Sequence, residues 1–426
     1  MGRVQRYLSV LRVRAARGPF VASVVGRLPI SMAPLAAVLL VQQVRGSYSI
    51  AGLVTGMYAL GAAVGTPVLG RLVDRLGQPR VVGPAGLVSA ALLAALALAA
   101  AGGAGDPVLL ALAAAAGAAA PPLAAVMRGA FRVALPAEAD RLAAYALDAV
   151  AIEAVFVAGP LLVGLLLVST PPAVPLLVTA ALLAAGTLGY VRAAAVRAWR
   201  PDPAPHGTAP HPLSVAGVRT VLLTSLLVSL GFAHLDLSIA ATAREALAEP
   251  GRVGLLFACI AGGSTVGGLV YGSRSWRLAE RLRLPLSLTA VATGLAVVAV
   301  HLGGLEGRVR TPSLPVLAAL LFASGVAITP GLIAVNNLVD ALAPRSRLSE
   351  AQAWVSTSYT GGAAAGTAVA GLLVDAGGPG RGFAGACLLM VAGTVVAAAA
   401  QRSWRREDAV PHPAAVQAPA PQTAGS

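Results

Sequence analysis

Four charged side chains interrupt long apolar stretches of this 426-residue chain: Arg27, Asp148, Glu153 and Asp236. A charge within an apolar membrane-length run is costly unless it is paired or wetted, so each marks an ion pair, a proton site or a contact with a polar solute. Arg27 lies about 10 Å into the run that begins at residue 20, at 1.5 Å per residue. Glu153 sits at a comparable depth in the run 147–168. If the two runs pack in one bundle, Arg27 pairs with Glu153 as the first expectation and with Asp148 as the second. Glu153 is then either a fixed counter-ion or a proton carrier. Asp236, towards the end of the run 216–241, either binds a proton or a cationic solute, or reaches for interfacial water. His234 lies about 200° away round a helix and does not share its face, so no His–Asp relay is read. Asn336 and Asn337 follow Pro330, which frees a backbone carbonyl and kinks a helix. They line a cavity, face its exit, or lie in the following loop.

Other chemistries find no support. The five histidines, at 206, 211, 234, 301 and 412, have no metal-ligand spacing. Cys259 and Cys387 are far apart in apolar sequence and read as small buried hydrophobes. Every basic residue is Arg, so the Lys of a phosphate-binding Walker loop is missing. Neither an H-E-x-x-H nor a G-x-S-x-G pattern occurs. No cofactor, no metal and no enzymatic activity are expected.

The elements that position these residues follow from composition. Hydrophobic residues make up 57% of the chain and charged ones 11%, with a mean hydropathy of +0.79. That is too little charge to cover a soluble protein of this size, and lipid accepts an apolar exterior. A span needs roughly 20 apolar residues. Twelve runs qualify: 20–44, 49–69, 81–101, 107–127, 147–168, 173–191, 216–241, 253–272, 284–303, 314–338, 352–374 and 382–400, numbered here as helices 1 to 12. The expected architecture is an all-α, multi-pass membrane protein with two six-helix bundles, 20–192 and 216–400. A short segment 1–19 precedes them, a Pro-rich linker 193–215 joins them, and a polar tail 401–426 follows.

The arginines orient the chain. With the N-terminus on one side, 24 of the 31 fall on that side and six on the other, Arg27 being inside helix 1. The positive-inside rule then places both termini and the linker in the cytoplasm, at the cell membrane. The net charge of +14 is thus mostly a topology signal, and nucleic acid is not an expected partner.

The halves repeat. An offset of 202 aligns Gly52, Gly61, Gly65 and Gly70 with Gly254, Gly263, Gly267 and Gly272. An offset of 206 aligns Arg141-Leu142 with Arg347-Leu348. Parallel six-helix repeats predict a substrate path between the halves.

Between helices 2 and 3 the chain carries Gly70, Leu72, Asp74, Arg75 and Gly77, followed by Gln78, Pro79 and Arg80. This resembles the G-x-L-x-D-R-x-G-R-R loop of the major facilitator superfamily, with Gln78 and Pro79 in place of two basic residues and Arg80 as partial compensation. The resemblance covers residues 20–400. It implies alternating access and a cytoplasmic latch formed by this loop, in which Gly70 lets helices approach and Gly77 permits a tight turn. The counterpart after helix 8 keeps Gly272 but has no acid at the position of Asp74, which predicts a weak or absent second latch. In helix 5, Gly159-Pro160 and Gly164 partly resemble the G-x-x-x-G-P-x-x-G-G motif of drug–proton antiporters, with Val155 and Val163 replacing two glycines; it marks either that subtype or a packing hinge. The arginine that many antiporters carry in helix 4 is missing. The expected function is secondary transport of a small molecule, with proton-coupled efflux preferred, by a lipid-embedded monomer. An uptake symporter or facilitator, and a transporter-like sensor that binds without moving its ligand, are the alternatives.

Overall fold

The computed structural model describes residues 12–200, 211–274, 276, 278–304, 306, 310–344 and 347–405. Residues 1–11, the Pro-rich centre of the linker (201–210) and the tail from 406 lie outside the described residues, and so does most of what is expected of the segments 1–19, 193–215 and 401–426.

Among the described residues, eleven helical stretches are long and apolar enough to cross a membrane, and the last of them, Glu350–Arg402, contains two passes. Its backbone leaves the helical region at Gly377 and Gly378, where φ is +76° at the second. A left-handed φ is cheap only for glycine. The chain folds back there, so that Leu373 meets Gly385 across the turn. The twelve passes are α1 (Arg14–Arg45), α2 (Tyr48–Leu76), α3 (Gln78–Ala101), α4 (Asp106–Ala134), α5 (Glu138–Ser169), α6 (Val174–Arg192), α7 (Ala216–Ala246), α8 (Val253–Ser273), α9 (Glu280–His301), α10 (Leu314–Leu342), α11 (348–376) and α12 (379–399). Helices extend past the apolar runs because their last turns reach polar surroundings, which is why α1 starts at Arg14 and α5 at Glu138.

Two passes are interrupted at equivalent places. In α4 the helix stops at Ala118 and resumes at Leu123, after Pro121-Pro122. In α10 it stops at Gly325 and resumes at Ile328, just before Pro330. Proline removes a backbone donor and clashes with the preceding turn.

The glycine repeat is a packing device used twice. A Cβ on Gly61 or Gly65 of α2 would collide with the backbone of α4 at Ala114 and Ala118, and one on Gly117 of α4 would collide with Tyr58 of α2. In the second half, Gly263 and Gly267 of α8 press on Phe322 and Val326 of α10, and Gly325 presses back on Ile260. Backbones this close gain dispersion contact without a solvent-driven hydrophobic term, which lipid does not supply.

The helices alternate direction, so the molecule has two ends. The linker end carries the start of α1, the α2–α3 turn and residues 192–200 and 211–216. The distal end carries the α1–α2, α5–α6 and α11–α12 turns.

Candidate functional site

A cavity of about 420 Å³ lies between the halves, walled by α1, α2 and α5 from the first and by α7, α8, α10 and α11 from the second. Its wall is mostly aliphatic and aromatic, with Phe156, Phe232 and Phe257 among the largest side chains. Hydroxyls enter from Ser31, Thr55, Ser264, Thr265, Thr329 and Thr367. The Ser264 and Thr329 hydroxyls are hydrogen-bonded to each other at 2.6 Å, fixing α8 to α10 beside the break in α10. Its charged wall residues are Glu153 of α5 and Asp236 of α7. Both side chains are exposed to the cavity, and neither has a hydrogen-bond or ion-pair partner among the described residues.

The expected Arg27–Glu153 pair is not formed. Arg27 is 1% exposed and donates through Nη2 to Asp148 Oδ1 at 2.5 Å, with Nε reaching the Ser23 carbonyl at 3.3 Å. The reason is helical phase. Asp148 and Glu153 are five residues apart, about 140° round α5 at 100° per residue. The face that meets α1 in the first bundle holds Asp148, and the face that meets the second half holds Glu153. Depth along the helix was a poor guide to pairing, because it says nothing about azimuth. Arg27 and Asp148 are therefore a buried structural pair off the cavity wall.

Asp236 and His234 diverge in the same way. His234 is buried, with Nδ1 2.8 Å from the Leu230 carbonyl and its ring against Gly385 of α12, while Asp236 faces the cavity. Asn336 and Asn337 do not line the cavity. Asn336 is exposed and donates to the Leu332 carbonyl at 2.9 Å. Asn337 donates to Glu280 Oε1 at 3.0 Å. Gly159 and Pro160 lie where α1 crosses α5. The Ser31 hydroxyl donates to the Val155 carbonyl at 2.8 Å, and a Cβ on Gly159 would collide with Ser31. Val155 and Val163 are buried, at the places where two motif glycines are missing.

In the loop after α2, Gly77 takes φ +87° and closes the helix, its N–H donating to the Val73 carbonyl at 2.9 Å. Asp74, Arg75 and Arg80 are exposed, and Asp74 and Arg75 have no partner among the described residues. Gly70 makes no close helix approach in this structure: a Cβ there would meet nothing within 4 Å, and the same holds for its repeat mate Gly272. The close approaches of α2 are higher, at Gly52, Gly56, Gly61 and Gly65.

Two residues at one repeat position were not singled out from the sequence. Gln78, at the start of α3, is 1% exposed; it accepts from the Tyr190 hydroxyl at 2.9 Å and donates to the Val126 carbonyl at 3.0 Å. Glu280, at the start of α9, is 6% exposed; it accepts from Tyr271 at 2.7 Å, Arg283 at 2.7 Å and Asn337. The offset of 202 that aligns Gly70 with Gly272 also aligns Gln78 with Glu280. An acid thus enters from α9 beside the loop after α8, and it joins Tyr271, Arg283 and Asn337 within the second half. Carrying the repeat eight residues further would have found it.

The halves meet most closely at the distal end. Asp375, at the end of α11, accepts from the Ser47 hydroxyl at 2.9 Å, the Tyr48 and Ser49 N–H groups at 2.8 Å each, and the Ser49 hydroxyl at 2.5 Å. These groups form the N-terminus of α2, where free N–H groups and the helix dipole favour an anion. Gly52 and Gly56 of α2 press on the α11 backbone at Thr367 and Ala364, and Gly371 presses back on Tyr48. In the matching pair, Gly254 of α8 presses on Pro160 and Leu161 of α5, and Gly164 presses on Gly251 and Gly254. Arg244 donates to Gln43 at 3.3 Å nearby. No hydrogen bond or ion pair between described residues joins the halves at the linker end.

Comparison with known proteins agrees with this architecture. The fold is similar to that of the peptide transporter POT in a mutant form (TM-score 0.68, 16% identity, covering 95% of this chain and 99% of that one). It is also similar to a bacterial homologue of the iron transporter ferroportin in an inward-facing state (0.68, 14%, 91% and 98%). A bacterial homologue of the human lysosomal transporter Spinster, inward-facing and unoccupied, gives 0.64 and 14% over 93% and 97% of the chains. No curated protein sequence matches. The Major Facilitator Superfamily model matches residues 20–235 and 221–423, most of the chain and both halves. With two six-helix repeats around one central cavity, the chain belongs to the Major Facilitator Superfamily.

Proposed function

We propose that this protein is a secondary active transporter that exports a small molecule in exchange for protons by alternating access. The observation that carries the reading is the interfacial cavity with one unpaired carboxylate from each half, Glu153 and Asp236. A carboxylate held in an apolar wall without a counter-ion is costly as an anion. A proton or a cationic solute removes that cost, so occupancy of the cavity couples to the arrangement of the halves that form it.

The two termini and the linker are on the cytoplasmic side of the cell membrane in this reading, supported by the arginine asymmetry. The linker end is then the inner end, and a cavity sealed at the distal end is open inward. Glu153 and Asp236 are the coupling and substrate residues. The Asp74 loop is a gate that engages in the opposite, outward-open arrangement, where α2 and the start of α11 approach each other. Arg27 and Asp148 hold α1 to α5 and move as one body. The similar structures include a peptide transporter and a homologue of an iron transporter, and they do not fix the substrate here.

Flux into proteoliposomes, with and without an imposed pH gradient, tests the reading. Uphill movement of a test compound should require the gradient in the wild type and be lost in Glu153→Gln or Asp236→Asn. Both variants should fold normally, since each removes an unpaired charge. Asp148→Asn should instead melt early, because an unpaired buried charge costs about 3–5 kcal/mol. Gradient-independent accumulation, or wild-type coupling in both acid variants, would contradict the assignment.

A further inference from the structure

We propose that the central cavity selects organic cations that carry an apolar, aromatic body, and rejects anions of the same shape. The proposal rests on the reading of this cavity as the transport site, and it names the class of cargo.

Three observations meet there. First, the charges on the cavity wall have one sign: Glu153 and Asp236, with no arginine or histidine beside them among the described residues. The arginine nearest in sequence to the α1 wall, Arg27, is removed from play by its pair with Asp148. An anionic cargo would meet two carboxylates and no cationic donor, an unpaired arrangement that costs several kcal/mol in an apolar site. Second, both carboxylates lack partners among the described residues, so a bound ammonium replaces lost water rather than competing with an existing salt bridge. Third, aromatic rings stand close to each acid along its helix. Phe156 is three residues from Glu153 on α5, and Phe232 is four from Asp236 on α7, so each ring shares a face with its acid. An aromatic face attracts a cation through its quadrupole and also packs an apolar body. A cation with aryl or alkyl substituents satisfies all three at once. A small hydrated metal ion does not, since the described residues hold no group of three or more His, Cys, Asp or Glu.

Size and charge separate cleanly with tetraphenylphosphonium and tetraphenylborate, which have the same shape and opposite charge. Equilibrium binding of each is measured on the purified full-length protein in lipid nanodiscs, against protein-free nanodiscs. The wild type should bind tetraphenylphosphonium saturably and show no saturable binding of tetraphenylborate. Glu153→Gln and Asp236→Asn should each weaken tetraphenylphosphonium binding at least tenfold. Equal or tighter binding of tetraphenylborate would overturn the proposal, and so would acid variants that bind tetraphenylphosphonium as the wild type does. If a variant fails to fold, the charge-matched pair on the wild type still decides. Saturable, cation-selective binding without gradient-driven flux would uphold this inference and sink the transport reading. Gradient-driven flux of a neutral compound with no cation selectivity would do the reverse.

Discussion

The two ends of the α2–α11 contact use the same device, yet only one end is engaged. At the distal end, Asp375 near the C-terminus of α11 caps the N-terminus of α2 through four hydrogen bonds, and glycines on both helices let the backbones touch. At the linker end, Asp74 lies in the last turn of α2, and α11 starts at Leu348. There the acid has no partner among the described residues, and Gly70 faces open space. The helices are antiparallel, so each offers an acid to the other's dipole at opposite ends. In the proposed alternating-access reading, Asp74 and Asp375 are latches at opposite ends of this helix pair, and a rocking motion closes one as it opens the other.

Changes at the two ends should therefore have unequal effects on the state seen here. The largest is expected from Gly52→Leu, which drives a side chain into the Thr367 carbonyl. Overpacking of this kind costs about 1–3 kcal/mol. It should hold the distal end apart and abolish transport, while Gly70→Leu leaves the distal end closed. Distances between paired spin labels across each end check both. Equal spreading by the two variants would remove the contrast.

Asp375→Ala is the next largest. Three of its four hydrogen bonds are exposed and compete with water, so their joint contribution to distal closure is roughly 1–2 kcal/mol. That corresponds to about a five- to thirty-fold shift towards an open distal end, read from the same label distances. Asp375→Asn should retain part of the closure, because an amide oxygen still accepts from the N–H groups. No shift in Asp375→Ala would place the closure in the glycine contacts alone.

Asp74→Ala should have the smallest effect on this state. The side chain is exposed and unpartnered, so thermal stability should stay within about 0.5 kcal/mol of wild type. Transport should still slow, because the opposite state loses its latch. A variant with normal stability and normal turnover would show that the linker-end acid holds nothing.

The twelve passes were legible because membrane-length apolar runs depend on composition alone, and the glycine repeat revealed the pseudo-symmetry because helix contacts in lipid select small residues at fixed intervals. Asp236 and Glu153 stood out as costly charges. Their surroundings were not legible, since phase round a helix depends on which neighbours pack against it. That is why Asp148 rather than Glu153 holds Arg27. Asn337 was noted without its partner because Glu280 comes from another helix. Gly70 has no close neighbour in this structure, because a small residue permits contact but does not require it, and α2 packs here through its higher glycines. Asp375 escaped notice because it sits beside Gly377-Gly378 at a turn, where an acid is unremarkable until the N-terminus of another helix is placed against it.

The most direct test is sidedness of access to the cavity. Ala261 lines it on α8, and a single cysteine there, after replacement of Cys259 and Cys387, can be labelled with an impermeant maleimide in sealed vesicles of known orientation. The account predicts that the wild-type background reacts readily from the linker side and at least tenfold more slowly from the distal side. Asp375→Ala should raise the distal rate at the expense of the linker-side rate. Fast labelling from the distal side with Asp375 intact, or a rise from both sides at once, would contradict a cavity that opens to one side at a time.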